Sequence, residues 1–116
     1  MNARPLEATV RFQPEIAIVD LSGEINAAGD HTLSAAYAEA TSLGASSVLL
    51  NFAEVGYINS TGIALIVGLL AQARKTGRRL LVCGLSDHYL EIFRVTRLSD
   101  FMSVYPDEAS ATRASA

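Results

Sequence analysis

The chain has 116 residues, half of them apolar and 18% charged, which is enough for one hydrophobic core and far from the composition of a disordered chain. Its net charge of −3 gives no footprint for nucleic acid, and its single cysteine, Cys83, excludes an internal disulfide and fits a reducing compartment. Residues 1–7 hold no apolar stretch of the signal-peptide kind, and the longest apolar run, Gly62 to Ala71, falls short of the roughly 20 residues a bilayer-crossing helix needs. A cytoplasmic protein without membrane insertion is expected.

Thr9 to Phe12 is β-prone, and Pro14-Glu15 breaks it as a hairpin turn would. Ile16 to Leu21 is a second strand, with Gly23 as its stop. Asn26-Ala27-Ala28-Gly29-Asp30 leads into Leu33, Ala36, Tyr37, Ala40 and Leu43, whose spacing places one apolar face on a helix ended by Gly44. Val48 to Phe52 is a nearly continuous apolar run, the pattern of a strand covered on both faces. Ala53 to Tyr57 reads as a connection. The longest helical pattern follows, with Ile63, Ile66, Val67, Leu70 and Ala71 at helical spacing, Arg74 and Lys75 in the last turn, and Gly77 as the stop. Arg79 to Cys83 is another strand. Ser86 or Asp87 caps a helix containing Leu90, Ile92, Phe93 and Val95, and Phe101 to Tyr105 adds a last short strand. From Pro106 on, small and polar residues predict a flexible tail over 107–116, leaving one α/β domain over 1–106. Strands alternating with helices imply parallel pairs and right-handed crossovers.

Little in the chain suggests catalysis. His31 and His88 open two different helices, with no HxxxH or CxxC spacing for a metal. Neither GxGxxG nor GxxxxGK[ST] occurs, and Ser60 lacks the GxSxG context of a hydrolase nucleophile. Glu24, Asp30, Glu54 and Asp87 are scattered acids that read as solvated surface or helix caps. Cys83, at a strand end between Val82 and Gly84, reads as a buried structural thiol. No cofactor or catalytic residue is assigned. Asn59-Ser60-Thr61-Gly62 remains, and on its own it is an ordinary helix start, since Asn, Ser and Thr oxygens accept free backbone N–H groups.

Its context adds a second meaning. Gly23-Glu24-Ile25-Asn26, the strand Val48 to Phe52, Asn59-Ser60-Thr61-Gly62 and the late segment Ile92 to Leu98 occur in an order and spacing that resembles the STAS family of anti-sigma factor antagonists. Asn26 and Asn59 stand where the family's motifs carry Asp, and Arg97 stands where Gly is usual. The resemblance runs from about Thr9 to Tyr105. It implies a four-stranded mixed sheet plus an N-terminal strand, with helices mainly on one face. It also implies a role. A partner serine kinase of the GHKL type, itself the anti-sigma factor, binds the domain and phosphorylates the serine that maps to Ser60, with Thr61 a lesser alternative. A PP2C-type phosphatase reverses the step. The expected partner-binding residues are Asn26, Asn59, Ser60, Thr61, Gly62 and Leu65, with Leu69 a further exposed position, and an apolar patch should border Ser60. The alternative is a non-switching STAS subunit docked on a transporter ATPase or a signalling scaffold.

Overall fold

The computed structural model describes residues 4–115; Met1–Ala3 and Ala116, the ends of the two terminal segments read above, lie outside it. Five strands form one sheet in sequence order: β1 (Glu7–Gln13), β2 (Ile16–Ile25), β3 (Ser47–Ile58), β4 (Arg79–Cys83) and β5 (Ser103–Tyr105). The hairpin β1–β2 is antiparallel and every other pair is parallel. The crossovers are α1 (Asp30–Thr41), α2 (Ser60–Lys75) and α3 (Asp87–Val95), and α4 (Glu108–Ser115) closes the chain.

Side-chain alternation divides the sheet into two apolar faces. Ala17, Val19 and Leu21 of β2, Val48, Leu50 and Phe52 of β3, and Leu80 and Val82 of β4 form the front. They pack on Leu33, Tyr37 and Ala40 of α1, on Ile66, Leu70 and Ala73 of α2, and on Tyr89 and Phe93 of α3. Intervening residues Ile16, Ile18, Leu49, Leu81 and Cys83 form a smaller back-face cluster with Ala111 of α4. Fully covered strands explain the continuous apolar runs in the sequence.

The structure departs from the sequence reading in four places. Gly23 does not stop β2: it takes φ +97° at a register irregularity, and the strand runs on to Ile25. A Cβ there would sit 2.4 Å from the Pro5 carbonyl oxygen, so the glycine marks a close backbone approach inside a bulged strand. Because β2 continues, the expected connection Ala53 to Tyr57 is strand, with Ser22 opposite Glu54 and Glu24 opposite Tyr57. Leu43 lies past the end of α1 and is exposed, and Leu90 and Val95 of α3 also face solvent. At the C-terminus the expected loose tail forms α4, where Ala111 is buried on the back face and Glu108 pairs with Arg11 of β1. An Ala- and Ser-rich sequence disguises this helix, because its docking needs only one small apolar side chain.

Candidate functional site

The parallel strands β2 and β3 end level with each other, Ile25 opposite Ile58, so the segments that follow emerge side by side. The Asn59 backbone N–H donates to the Ile25 carbonyl at 3.1 Å. On one side, Asn26 caps a short 3₁₀ turn, Ala27–Gly29, its side-chain oxygen accepting from the Ala28 N–H at 3.0 Å. On the other, Asn59 is extended and caps α2, its Oδ1 accepting from the Gly62 N–H at 2.8 Å while its carbonyl accepts from the Ile63 N–H. An amide oxygen caps as well as a carboxylate does, so the exchange of Asp for Asn at both positions leaves this geometry intact and removes two negative charges.

Ser60 is thereby the first residue of α2, with its side chain and that of Thr61 exposed; Asn26 and Asn59 beside them are half-buried. The helix start supplies backbone N–H groups without intrahelical partners and the positive end of the helix dipole. Behind Ser60 the outer face of α2 is uncharged: Ala64, Val67, Gly68 and Ala71 are exposed down to Arg74 and Lys75. Tyr57, 51% exposed, adds an aromatic surface just before the cap.

Two expected contact residues are not available at this surface. Gly62 and Leu69 are buried, and only Leu65, half-buried, is partly open. Gly62 has a packing reason: a Cβ there would fall 2.2 Å from the Ile25 carbonyl oxygen and 2.9 Å from Ile58 Cγ2. Glycine at this position lets the first turn of α2 lie directly on the end of β2, which fixes where Ser60 stands.

Tyr89, which the sequence reading passed over, holds the same corner from below. Its buried hydroxyl accepts from the Ile58 N–H at 2.8 Å and donates to the Ile58 carbonyl at 3.3 Å. The signal was present in the Ser86 cap, whose oxygen receives the Tyr89 N–H, and in the i, i+4 pairing of Tyr89 with Phe93. His31 and His88 are exposed on separate helices, and among the described residues no group of His, Cys, Asp and Glu is arranged to hold a metal ion.

The remaining polar cluster lies on the back face. Asp20, Asn51 and Cys83 stand opposite one another on β2, β3 and β4. Arg11 donates from Nε and Nη2 to Asp20 at 2.6 and 2.9 Å, and from two further guanidinium hydrogens to Glu108. Asn51 Nδ2 donates to Asp20 at 2.9 Å. The Arg11 guanidinium holds the Asp20 carboxyl below the usual carboxylate range. Burial, and next the Glu108 charge, pushes the Cys83 thiol up to about 11, which keeps it a neutral packing group.

The STAS domain model matches residues 7 to 111, from the first strand into α4. The chain belongs to the STAS family. A Bordetella bronchiseptica relative, whose name marks it as a candidate anti-sigma factor antagonist (BtrV), is 30% identical over 99 residues, covering 85% of this chain and 83% of its own. An anti-sigma factor antagonist from Mycobacterium paratuberculosis superposes with a TM-score of 0.81 at 17% identity, over 94% of this chain and 92% of that one. The Bacillus cell fate determinant SpoIIAA in its phosphorylated form gives a TM-score of 0.70 at 19% identity, over 92% and 98% of the two chains. Within the STAS frame the late motif also becomes intelligible. Arg97, where the motif usually has Gly, takes the left-handed conformation (φ 67°) that glycine adopts without steric cost, and its guanidinium pairs with Asp100. No helix of the described residues is long and apolar enough to cross a membrane.

Proposed function

We propose that this STAS domain is an anti-sigma factor antagonist: it captures an anti-sigma factor serine kinase of the GHKL type, and phosphorylation of Ser60 releases that partner. The reading rests on one observation above all. The only motif hydroxyl placed first in α2, that of Ser60, is solvent-exposed beside an uncharged helix face. The names of the Bordetella relative and of the superposed Mycobacterium structure support the same role.

The energetics favour a switch of binding and not of fold. A phosphate on Ser60 adds about 1.5 to 2 negative charges. At the start of α2 that charge gains about 0.3–1 kcal/mol from the helix dipole, and Asn26 and Asn59, as neutral caps, place no carboxylate at either capping position to oppose it. The free domain therefore keeps its structure. Against a docked partner the same charge loses its water, at a cost of several kcal/mol unless a cation meets it. Each 1.4 kcal/mol is tenfold in affinity, so one modification is enough to dissociate the pair. A PP2C-type phosphatase returns the hydroxyl. Nothing in this scheme asks the domain to catalyse a reaction.

The test uses three baits, wild type, Ser60→Ala and Ser60→Glu, against host lysate, with phosphosite mapping of the wild-type protein recovered from cells. Retention of a GHKL-type kinase by the first two and its loss from the third, with phosphate on Ser60, is the expected result. Retention of one transporter ATPase or scaffold by all three baits would replace the switch with permanent docking. Phosphate on Thr61 alone would move the switch by one residue.

A further inference from the structure

The last helix, α4, is attached differently from the other three. Among the described residues the front-face core is built from Leu6 to Val104 and takes no side chain from α4. On the back face α4 adds one buried side chain, Ala111, to the cluster of Ile16, Ile18, Leu49, Leu81 and Cys83. A second tie is Glu108, which receives two hydrogen bonds from the Arg11 guanidinium at 2.6 and 3.1 Å. Pro106 and Asp107, both exposed, link the helix to β5.

These ties part without stranding a charge. Arg11 keeps its two bonds to Asp20 when Glu108 leaves, and the Glu108 side chain, already 34% exposed, returns to water. An ion pair this exposed is worth at most about fivefold in an equilibrium. Asp107 caps α4 by accepting from the Ser110 N–H at 2.8 Å and travels with it. Once released, an eight-residue helix rich in Ala and Ser is shorter than the about 12–15 residues that hold a lone helix in water, so it melts. Opposing the release is the exposure of Ile18, Leu49, Leu81 and Cys83, each at most 1% exposed in the closed form, which makes the closed form the resting one. Proteins open in cooperative units of unequal stability, and a unit with one buried side chain, outside the main core, stands at the low end.

We propose that α4 is a hinged strap fastened by Arg11: it swings out about Pro106 and Asp107 while the sheet and its three front helices stay folded. Its release turns the back of β2, β3 and β4 into an accessible apolar face with Cys83 on it. The strap lies across the sheet from α2, so opening leaves the Ser60 surface in place.

Cys83, the only thiol in the chain, registers the opening. The full chain is labelled with iodoacetamide at pH 8 across low urea concentrations, and the slowing relative to the urea-unfolded chain gives the open fraction. That fraction is set against the global unfolding constant from urea denaturation followed by circular dichroism. The wild-type protein should label at least about tenfold faster than global unfolding allows, with a shallower dependence on urea than unfolding itself. Glu108→Ala should speed labelling about two- to fivefold. Ala111→Asp, which sets a carboxylate against the apolar face, should keep the folded circular dichroism spectrum and label within about tenfold of the unfolded chain. Ala109→Asp places the same charge on the exposed side of α4 and should stay within about threefold of wild type. Labelling that follows global unfolding in both rate and urea dependence would mean that α4 opens only with the whole domain, and the strap would be overturned. An Ala111→Asp protein as protected as wild type would show that α4 is not what covers Cys83, and its complete unfolding would tie α4 to the main core; either result overturns the proposal.

Discussion

Replacing Gly62 with alanine puts a methyl group into the backbone of the neighbouring strand. The added carbon would lie 2.2 Å from the Ile25 carbonyl oxygen, 2.8 Å from its carbonyl carbon and 2.9 Å from Ile58 Cγ2. Two of those three atoms are main chain and cannot rotate away. To regain ordinary contact the first turn of α2 must retreat by about 1 Å, which also strains the 2.8 Å bond from the Gly62 N–H to Asn59. Overpacking of this kind costs about 1–3 kcal/mol, and a weakened cap adds about 1 kcal/mol. Alanine returns about 1 kcal/mol through its better helix propensity, leaving a net loss of about 1–3 kcal/mol. Gly68, two turns on in the same helix, is the control, since a Cβ there meets nothing within 4 Å. Gly68→Ala should stabilise by about 0.5–1 kcal/mol. For a domain of this size 1 kcal/mol moves the melting temperature by about 3–6 °C, so the two alanines shift it in opposite directions in thermal and urea unfolding followed by circular dichroism. A Gly62→Ala protein as stable as wild type would refute the close seating of α2 on β2, and with it the account of how Ser60 is positioned.

Asn59→Ala, which strips the α2 cap, should cost about 1 kcal/mol in urea unfolding, while Asn59→Asp should fall within about 1 kcal/mol of wild type on the stabilising side, because it keeps the acceptor and adds a charge the helix start favours. Tyr89→Phe should destabilise by about 1–3 kcal/mol by leaving buried polar groups of Ile58 unpaired, and faster amide exchange at Ile58 would locate the loss. The Asp20 carboxyl is held low by Arg11; its contribution is full above the unfolded carboxylate value of about 3.9 and disappears as pH falls through the lower folded value. Unfolding measured from pH 6 to pH 2 should therefore show an acid loss that is shallower in Arg11→Met, and an unchanged slope would separate Asp20 from acid stability. Cys83, with its thiol at about 11, should alkylate at pH 8 at least about 100-fold more slowly than a free cysteine, and labelling at the rate of the unfolded chain would show that the back face is open.

The amino-acid sequence conveys the alternation of strands and helices because the central strands β2, β3 and β4 are largely covered on both faces and each crossover helix on one, and burial writes those periods directly into residue choice. Asn59 and Ser60 were legible as a helix start for the same local reason. What escaped were features decided by neighbours distant in the chain. Gly23 looks like a terminator until Pro5 is found across from it, and Ala53 to Tyr57 becomes strand only because β2 continues alongside. Gly62 belongs to the motif yet is covered, a fact set by Ile25, 37 positions earlier. Helix α4 is written in Ala, Ser and Thr, with its anchor supplied by Arg11 at the other end of the chain.

That last pairing bears on the order in which the molecule is assembled. Arg11 and Glu108 are 97 positions apart, and closing so long a loop comes late, after the local hairpin and the adjacent crossovers have formed. On the ribosome the first strand therefore waits for α4 until the rest of the domain has been made. During that interval Ile16, Ile18, Leu49 and Leu81 lack their cover, and these are the side chains through which an incomplete molecule would stick to its neighbours. The short, polar closing helix thus acts as a seal applied once translation of the domain is nearly done.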